Sequence, residues 1–309
     1  MSSSGITLSA LSYVHPDGTV AVQDLDAVVP AGRIGLVGRN GSGKTTLLRL
    51  IAGELRPTSG SSTVRGRVAY LPQDVTLDPT VPVDSVLGIG EIRKSLRRIE
   101  SGSFDDRDFE VVADRWDIED RALALMHRVG LDRILHDAGD FDRTVGQLSG
   151  GETVLLAFTA RLLDEPDVLL LDEPTNNLDA DGRARLQDAL DRFPGTVLVA
   201  GHDRELLDRT DAIAELRNGA LRLFGGGFGE YERIVAEEQE AARAAVRDAR
   251  NDVRRQAREL AAAHVTIARR QRYGQKMYEQ KREPRSSWAR ANGRRRNPPG
   301  VSAASTRRI

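Results

Sequence analysis

The stretch from Gly38 to Thr45 constrains this chain more than any other part of its sequence. It reads Gly-Arg-Asn-Gly-Ser-Gly-Lys-Thr and fits the pattern G-x-x-x-x-G-K-[ST], in which backbone N–H groups of a glycine-rich loop face phosphates at a helix N-terminus. A β-branched, apolar run at 33–37 precedes the loop, and apolar residues at helical spacing follow it over 44–54. A strand that enters such a loop and a helix that leaves it indicate an α/β fold with a phosphate-binding site.

The loop contains side chains suited to a phosphorylated ligand and its metal ion. We expect Lys44 to reach the terminal phosphates and the Thr45 hydroxyl to hold Mg²⁺, because a hard cation prefers oxygen ligands. A glycine-rich turn beside an unrelated lysine is the alternative, and the flanking strand and helix argue against it. The other predicted phosphate-binding residues are Gly38, Asn40, Gly41, Ser42, Gly43 and Thr46.

A second motif joins two carboxylates to a buried strand. Residues 168–173 read Val-Leu-Leu-Leu-Asp-Glu, and a carboxylate at the end of a central strand lies beside the phosphate loop in α/β sheets. We therefore expect Asp172 to hold the metal and Glu173 to act as general base toward water. A solvent-facing acidic turn is the alternative. A further apolar strand at 196–200, with helices at 152–164 and 180–192, predicts a parallel sheet.

The pattern changes twice along the chain. Strands and turns fill most of residues 5–70, a charged helical subdomain is inserted over about 83–165, and Gly225-Gly226-Gly227 marks a boundary. We assign 1–228 to the α/β domain, 229–283 to a basic helical linker and 284–309 to a disordered tail. Residues 1–228 carry 25 basic and 36 acidic side chains, and 229–309 carry 20 basic and 10 acidic. An acidic body with a cationic extension suits contact with a polyanion, although a basic helix is also found as a solvated face.

The extension contains one long predicted helix. Residues 230–272 hold neither proline nor glycine and are rich in alanine, arginine and glutamate. Apolar residues recur every seven positions, as in a coiled-coil seam, with small residues four positions before most of them. Packing of this helix on its own domain is the alternative to pairing with another helix. The seam consists of Val246, Val253, Leu260 and Ile267, preceded by Ala242, Ala249, Gln256 and Ala263.

Composition excludes several classes of protein. The 309 residues contain no cysteine, which rules out a disulfide framework, a thiolate nucleophile and a cysteine zinc site. No apolar stretch approaches the about 18 residues that a spanning helix needs, and the start lacks the pattern of a signal peptide. We expect a cytoplasmic protein with no direct membrane insertion.

Further motifs make the chain resemble the ATP-binding cassette ATPases. Residues 148–152 read Leu-Ser-Gly-Gly-Glu, Gln73 follows Tyr-Leu-Pro, residues 176–179 read Asn-Asn-Leu-Asp, and His202 follows a strand. Together with the phosphate loop and the carboxylate pair, they appear in the order of that family over residues 1–228. Alone, Ser149 would be interpreted as a helix N-cap, and a lone histidine such as His202 is more often structural.

The resemblance implies roles for these residues with ATP and Mg²⁺. Gln73 would contact Mg²⁺ and the γ-phosphate region, His202 would position the attacking water, and Asp179 would line a dimer interface. The signature residues would complete the site of a second cassette in trans, so an isolated monomer would hydrolyse ATP poorly. The family stacks adenine on an aromatic residue, and here the position falls on His15 or Tyr13. The signature residues are Ser149, Gly150, Gly151 and Glu152.

The Asn-rich motif at 176–179, the long charged helix and the absence of a spanning segment resemble the F subfamily (ABC-F), in particular the antibiotic-resistance type of actinobacteria. That resemblance implies a role at the ribosome. Independently, the net positive charge of the extension and the cluster of Arg269, Arg270, Arg272 and Lys276 near Tyr273 predict contact with RNA. The ATPase subunit of a transporter with a separate membrane partner is the alternative. A catalytically silent binding module is a third class, weakened because every catalytic position is filled.

The end of the sequence departs from ABC-F linkers. These continue in a pattern similar to Lys-Ile-Val-Met-Gly-Ala-Arg-Lys-Arg, whereas residues 285–293 read Arg-Ser-Ser-Trp-Ala-Arg-Ala-Asn-Gly. Deleting one adenine from a codon set for the first pattern yields the second. We therefore expect residues 285–309 to be a frameshifted reading, with a natural disordered basic tail as the alternative. A second cassette would then come from a homodimer or from a missing C-terminal half.

Overall fold

A computed structural model describes residues 5–75 and 77–281 of the chain. The chain divides into two compact units, residues 1–238 and 239–309. The tail predicted for 284–309, with its proposed frameshift, lies outside the described residues.

The described chain contains nine strands and nine α-helices. The strands are β1 (Ile6–Val14), β2 (Val20–Val29), β3 (Arg33–Val37), β4 (Ser59–Val64), β5 (Val68–Leu71), β6 (Val168–Asp172), β7 (Thr196–Ala200), β8 (Ala212–Arg217) and β9 (Ala220–Gly225). The helices are α1 (Lys44–Ile51), α2 (Val83–Val86), α3 (Gly90–Glu100), α4 (Asp106–Val112), α5 (Ile118–Val129), α6 (Gly150–Leu163), α7 (Ala180–Asp191), α8 (Arg204–Asp208) and α9 (Phe228–Lys281).

Six strands form the central sheet in the order β5-β6-β7-β3-β8-β9, and all neighbours are parallel except β8 and β9. A separate antiparallel sheet has the order β2-β1-β4. In the central sheet Ala200 of β7 pairs with Leu36 of β3 on one side and with Asp172 of β6 on the other. This register brings the phosphate loop after β3 and the carboxylates after β6 to the same edge.

The central sheet is covered on both faces, as its nearly continuous apolar strands require. Along β6, Leu169 and Leu171 face one core together with α6, α7 and the helical subdomain. Val168 and Leu170 face the other core, where α1 and the antiparallel sheet pack. Because side chains alternate between faces of a strand, one short run of apolar residues serves both cores. The predicted α/β cassette with an inserted helical subdomain and a long following helix is confirmed.

The helical subdomain is organised around Arg93 of α3. Its side chain is 1% exposed, and it pairs with Asp84 at 2.8 Å, Glu119 at 2.6 Å and Asp142 at 2.9 Å. A further hydrogen bond goes to a backbone carbonyl, and the guanidinium lies 5.1 Å from the centre of the Phe141 ring. One arginine therefore joins α2, α3, α5 and the turn that contains Asp142.

The structure shifts some predicted boundaries. The helix predicted over 44–54 ends at Ile51, and the helix predicted from residue 152 begins at Gly150. Strands β4, β5, β8 and β9 were not individually predicted. The first unit extends to Glu238, beyond the limit of 228 expected from the glycine run, because the first turns of α9 pack on the body. That contact joins Phe228, Tyr231, Ile234 and Val235 to Val37, Leu207, Ile213 and Phe224.

Helix α9 continues past residue 272 and through Gly274. Its predicted seam is exposed: Val246 at 52%, Val253 at 65%, Leu260 at 62% and Ile267 at 53%. Pairing of this seam with another helix remains a prediction. Within residues 5–75 and 77–281, none of the helices combines the length and apolar content that would let it span a membrane.

Candidate functional site

An open cleft of about 1150 Å³ lies at the carboxyl edge of the central sheet, beside the phosphate loop. It brings together most of the residues that the sequence predicts for a nucleotide site. The predicted residues on its wall are His15, Asn40, Gly41, Gly43, Lys44, Thr45, Thr46, Gln73, Asp172, Glu173 and His202. Among the predicted residues, Tyr13, Gly38, Ser42, Asp179 and the signature residues do not line it.

The phosphate loop has the backbone geometry that its glycines allow. Gly43 adopts φ 97°, and a Cβ atom there would lie 2.5 Å from the carbonyl oxygen of Ala21. Gly38 is equally confined, since its Cβ would lie 2.6 Å from the carbonyl oxygen of Leu216. Helix α1 starts at Lys44, so the first N–H groups of the helix, which have no intrahelical partners, point toward the loop. The loop is therefore built for close approach of an anion.

Two polar side chains of the loop support this interpretation. Lys44 is 8% exposed, and its Nζ donates to the carbonyl oxygens of Gly38 at 2.9 Å and Arg39 at 3.5 Å. The Oγ of Ser42 is buried and has no hydrogen-bond partner in the part of the chain that the structure describes. A buried hydroxyl without a partner is costly. A phosphate oxygen in the loop would satisfy it, so these residues fit a nucleoside triphosphate.

The three oxygen-bearing side chains predicted to hold Mg²⁺ all belong to residues of the cleft wall. Thr45, Gln73 and Asp172 contribute a hydroxyl, an amide and a carboxylate to the cleft wall, which is the hard donor set that Mg²⁺ prefers. Asp172 is 1% exposed and accepts a hydrogen bond from the Tyr70 hydroxyl at 3.4 Å. Burial is the main cause that raises the pKa of Tyr70, so its hydroxyl keeps its proton and can donate.

Glu173 is held in an uncommon backbone conformation next to this set. Its φ is +47°, in the left-handed region that a non-glycine residue rarely occupies, and its N–H donates to the carbonyl oxygen of Ala200 at 2.8 Å. Burial raises the pKa of the Glu173 carboxyl, while His202 and Lys44 oppose the shift. Strain at one residue of an active cleft is a common sign of function. A raised pKa suits a general base.

His202 connects the two sides of the cleft. Its Nε2 lies 3.4 Å from Oε1 of Glu173 and 3.2 Å from Oδ1 of Asn40. Both neighbouring atoms are oxygens that can accept a hydrogen bond, so the tautomer of His202 with its proton on Nε2 can donate to either. The imidazole is 57% exposed, whereas the Glu173 side chain is 13% exposed. His202 can therefore contact and orient a group that enters the cleft from solvent, whereas the Glu173 carboxylate is largely shielded from solvent.

The structure separates the two aromatic candidates for contact with a base. His15 lines the cleft together with Thr19, Val20 and Ala21. Tyr13 packs on the core behind it, and the two rings meet edge to face at 5.1 Å and 89°. Tyr13 thus supports His15 from behind and does not face the cleft.

The signature residues and Asp179 lie at two helix N-termini. Ser149 caps α6: its hydroxyl accepts from the N–H of Glu152 at 3.3 Å, and its own N–H donates to Glu152 Oε2 at 2.7 Å. The N-cap interpretation of Ser149 therefore holds, and it leaves Ser149 and Gly150 exposed. Asp179 caps α7 by accepting from Gly182 N at 2.8 Å. Whether these residues act on another cassette stays a prediction.

Some residues on the cleft wall were missed by sequence reasoning. Val20 is 54% exposed and lines the cleft with His15, and its position at the start of a predicted strand was the available signal in the sequence. Arg183 lies one turn after Asp179 and pairs with Asp203 at 3.7 Å. The other unpredicted wall residues are Thr19, Ala21, Thr175, Asn176, Ala180, Asp203, Arg204 and Glu205.

A parallel sheet that carries a phosphate loop and strand-end carboxylates at one edge is the architecture of the P-loop nucleotide-binding proteins. A family model described as "ABC transporter" matches residues 22–176, and the chain belongs to that family. A solved structure described as "Structure of ATP binding subunit of ABC transporter" superposes with a TM-score of 0.55 at 19% identity. The match covers 75% of this chain and 93% of that structure's chain, which supports the fold.

Similar proteins come from bacteria and a plant. The tylosin resistance ATP-binding protein TlrC of Streptomyces fradiae is 35% identical over 77% of this chain and 47% of its own length. The energy-dependent translational throttle protein EttA of Haemophilus influenzae is 32% identical over 75% of this chain and 46% of its own. ABC transporter F family member 5 of Arabidopsis thaliana is 32% identical over 81% of this chain and 39% of its own length. This chain thus spans less than half of each relative, and the predicted ABC-F resemblance is confirmed.

Proposed function

We propose that this chain binds Mg-ATP and hydrolyses it in the cleft at the carboxyl edge of the central sheet. The observation that carries the proposal is the contact of Glu173 with His202, 3.4 Å apart, beside a phosphate loop with a buried lysine. The ABC family model supports ATP hydrolysis at the level of the family.

The residues of the cleft divide the work. Lys44 and the N–H groups at the start of α1 hold the phosphates. Thr45, Gln73 and Asp172 would hold Mg²⁺, which supplies charge neutralisation on the phosphates when bound. Glu173 accepts the proton of the attacking water, and His202 orients that water through its Nε2–H.

Substitution of Glu173 tests the proposal. Glu173→Gln keeps the shape and removes the base, so we expect ATP turnover to fall about 10²-fold or more while ATP binding persists. Lys44→Ala should impair binding itself. Glu100→Gln, which removes an exposed carboxylate of α3, is the matched control and should keep the parent rate. Equal turnover in the parent and Glu173→Gln would overturn the assignment, and native affinity in Lys44→Ala would count against the loop.

A second cassette is part of the proposal. Ser149 and Gly150 are exposed and lie outside the cleft of their own chain, which supports a role on an opposite cassette. Their hydroxyl, N–H groups and helix terminus would stabilise charge on the γ-phosphate. The second cassette would come from a second copy of this chain or from a C-terminal half of the same protein. Gel filtration of Glu173→Gln should show ATP-dependent dimers if a second copy supplies it, and an unchanged elution volume would exclude that source.

We also propose that the protein acts in the cytoplasm at the ribosome, in translation or antibiotic resistance. The support is the ABC-F resemblance, relatives named for tylosin resistance and translational throttling, and the basic extension. Arg269, Arg270 and Arg272 are exposed on α9. Replacing them by glutamine should weaken ribosome pelleting and reduce its salt dependence, because each phosphate contact releases counterions. The control variant replaces Arg243, Arg247 and Arg250 by glutamine and so removes the same charge elsewhere on α9. If both variants lose ribosome pelleting equally, a local RNA contact at residues 269–272 is refuted.

The ATPase subunit of a transporter is the alternative function. The support for it is the match of residues 22–176 to a family model described as "ABC transporter". Co-purification of a polytopic membrane protein with the intact chain would support the transporter, and its absence together with ribosome pelleting would support the ribosomal role.

A further inference from the structure

The exposed phenylalanine and tryptophan side chains of the first unit are confined to one short segment of its described residues. Phe104 is 88% exposed, Phe109 is 39% exposed and Trp116 is 52% exposed. Among the described residues of the first unit, no other phenylalanine, tyrosine or tryptophan side chain is exposed. Phe109 and Trp116 are in ring contact, and Phe104 lies five residues before Phe109 in the same segment; we call these three side chains the aromatic patch. It belongs to the helical subdomain and shares no residue with the nucleotide cleft.

Helix α4 and the turn after it place the side chains of the aromatic patch on the protein surface. Helix α4 turns Val112 into the core and ties Asp108 to Arg98, which leaves Phe109 on an exposed flank. Ala113 then adopts φ +50°, which ends the helix and reverses the chain. The reversal brings the Trp116 ring to 6.1 Å from that of Phe109. An alanine in this conformation is strained, and such strain is often retained for function.

The segment that carries the aromatic patch is rich in carboxylates. Residues 104–120 contain eight acidic and two basic side chains. Asp108 and Glu119 pair with Arg98 and Arg93 inside the subdomain. The other six are exposed or on helix caps and form no ion pair within residues 5–75 and 77–281. They are Asp105, Asp106, Glu110, Asp114, Asp117 and Asp120.

We propose that the aromatic patch and these six carboxylates bind a lysine- and arginine-rich segment of another protein. Exposed apolar groups with a charged rim are typical of interaction sites. Cationic side chains can lie over aromatic faces while their charges pair with carboxylates. The surface repels nucleic acid, since its charge has the sign of phosphate, and a purely apolar partner would leave six carboxylates without partners.

Tryptophan fluorescence tests the proposal in the full chain. The chain has two tryptophans, and Trp288→Phe leaves Trp116 as the reporter. The probe is an octapeptide of alternating arginine and lysine. An octapeptide of alternating glutamate and lysine and an eight-nucleotide uridine RNA are the controls. We expect a saturable change in Trp116 emission with the first peptide alone, and salt should weaken it.

Variants locate the site by calorimetry with the same peptide. Phe104→Ala with Phe109→Ala should weaken binding about tenfold through loss of cation–π contacts, and Asp106→Asn with Glu110→Gln should weaken it severalfold. Asp164→Asn with Asp188→Asn removes the same charge from other exposed positions and should leave affinity unchanged.

Four results would overturn the proposal. They are the absence of saturable peptide binding, equal weakening by the control pair at 164 and 188, preferential binding of the uridine RNA, and a Trp116 emission change on simple dilution of the chain. The last would assign the surface to a second copy of the chain.

Discussion

The substitution Arg93→Met is the most informative test of how the helical subdomain is held together. Methionine has similar bulk and no charge, so the change removes the guanidinium and leaves three carboxylates behind. Breaking a buried ion pair from one side costs more than removing both partners, because an uncompensated charge remains.

Solvent exposure of the partners decides the magnitude. The Glu119 and Asp142 side chains are 34% and 53% exposed and can be hydrated, and Asp142 keeps a 2.8 Å ion pair with Arg97. Asp84 is only 12% exposed, so it carries most of the cost. We therefore expect a loss near the lower end of the range for broken buried pairs, about 3 kcal/mol. Adding Asp84→Asn should recover about 1–2 kcal/mol, since it removes the stranded charge.

Urea unfolding followed by Trp116 emission in a Trp288→Phe background measures the effect within the subdomain itself. Hydrogen bonds from Arg97 and Arg93 lower the pKa of Asp142 from 3.8. A carboxyl with a lowered pKa stabilises the fold above its unfolded pKa and loses that contribution as the pH falls through its folded pKa. The gap between parent and variant should therefore shrink below pH 3.8. A loss under about 1 kcal/mol at pH 7, or no recovery in the double variant, would refute the reasoning.

Three further predictions concern the cleft. His15→Ala should weaken ATP binding about tenfold in an equilibrium titration, whereas Tyr13→Phe should change it less than about twofold; equal losses would contradict the assignment of base stacking to His15. Burial raises the Glu173 pKa, so the acid limb of the kcat/KM profile should lie above pH 4.5. Because the buried charge destabilises the fold, Glu173→Gln should raise the Tm at pH 7. That gain in Tm should shrink as the pH falls and the Glu173 carboxyl of the parent protonates. A limb at or below 4.5 would refute this. Tyr70→Phe removes a donor to Asp172 and should raise the Mg²⁺ requirement severalfold without changing metal-free ATP binding, and an unchanged metal titration would exclude the role.

Local patterns in the sequence were enough for the parts of the site that lie within a few residues of each other. The phosphate loop needs glycine at 43 because of its backbone angles, and the buried run of β6 places Asp172 and Glu173 at its end. The glycine of the loop and the carboxylates at the strand end are each determined by a few neighbouring residues, so the spacing of residues in the sequence is enough to identify them. The long helix was predictable for the same reason, because 3.6-residue geometry needs only local propensity.

Other elements gave weak local signals. Strand β4, Ser59–Val64, is exposed or half-buried along its length and lacks an apolar run, and its pairing with β1 gives it order. The extent of the first unit was likewise set by contacts of Phe228 and Tyr231 with the body, which the glycine run does not reveal. Strand propensity depends on neighbours that are distant in sequence, so these features follow from packing.

The sequence by itself determined which chemical groups this protein carries and in what order: the phosphate loop, the carboxylate pair, Gln73 and His202. Only the tertiary structure decided how they meet. Parallel pairing of β3, β7 and β6 brings His202 to both Asn40 and Glu173, over a separation of 162 residues for the first pair. It also turned His15 to the cleft, left Tyr13 behind it and buried Arg93 among three carboxylates. The physical reason is that register and burial arise from contacts between distant segments, and one residue of shift in a strand reverses which side chains face the site.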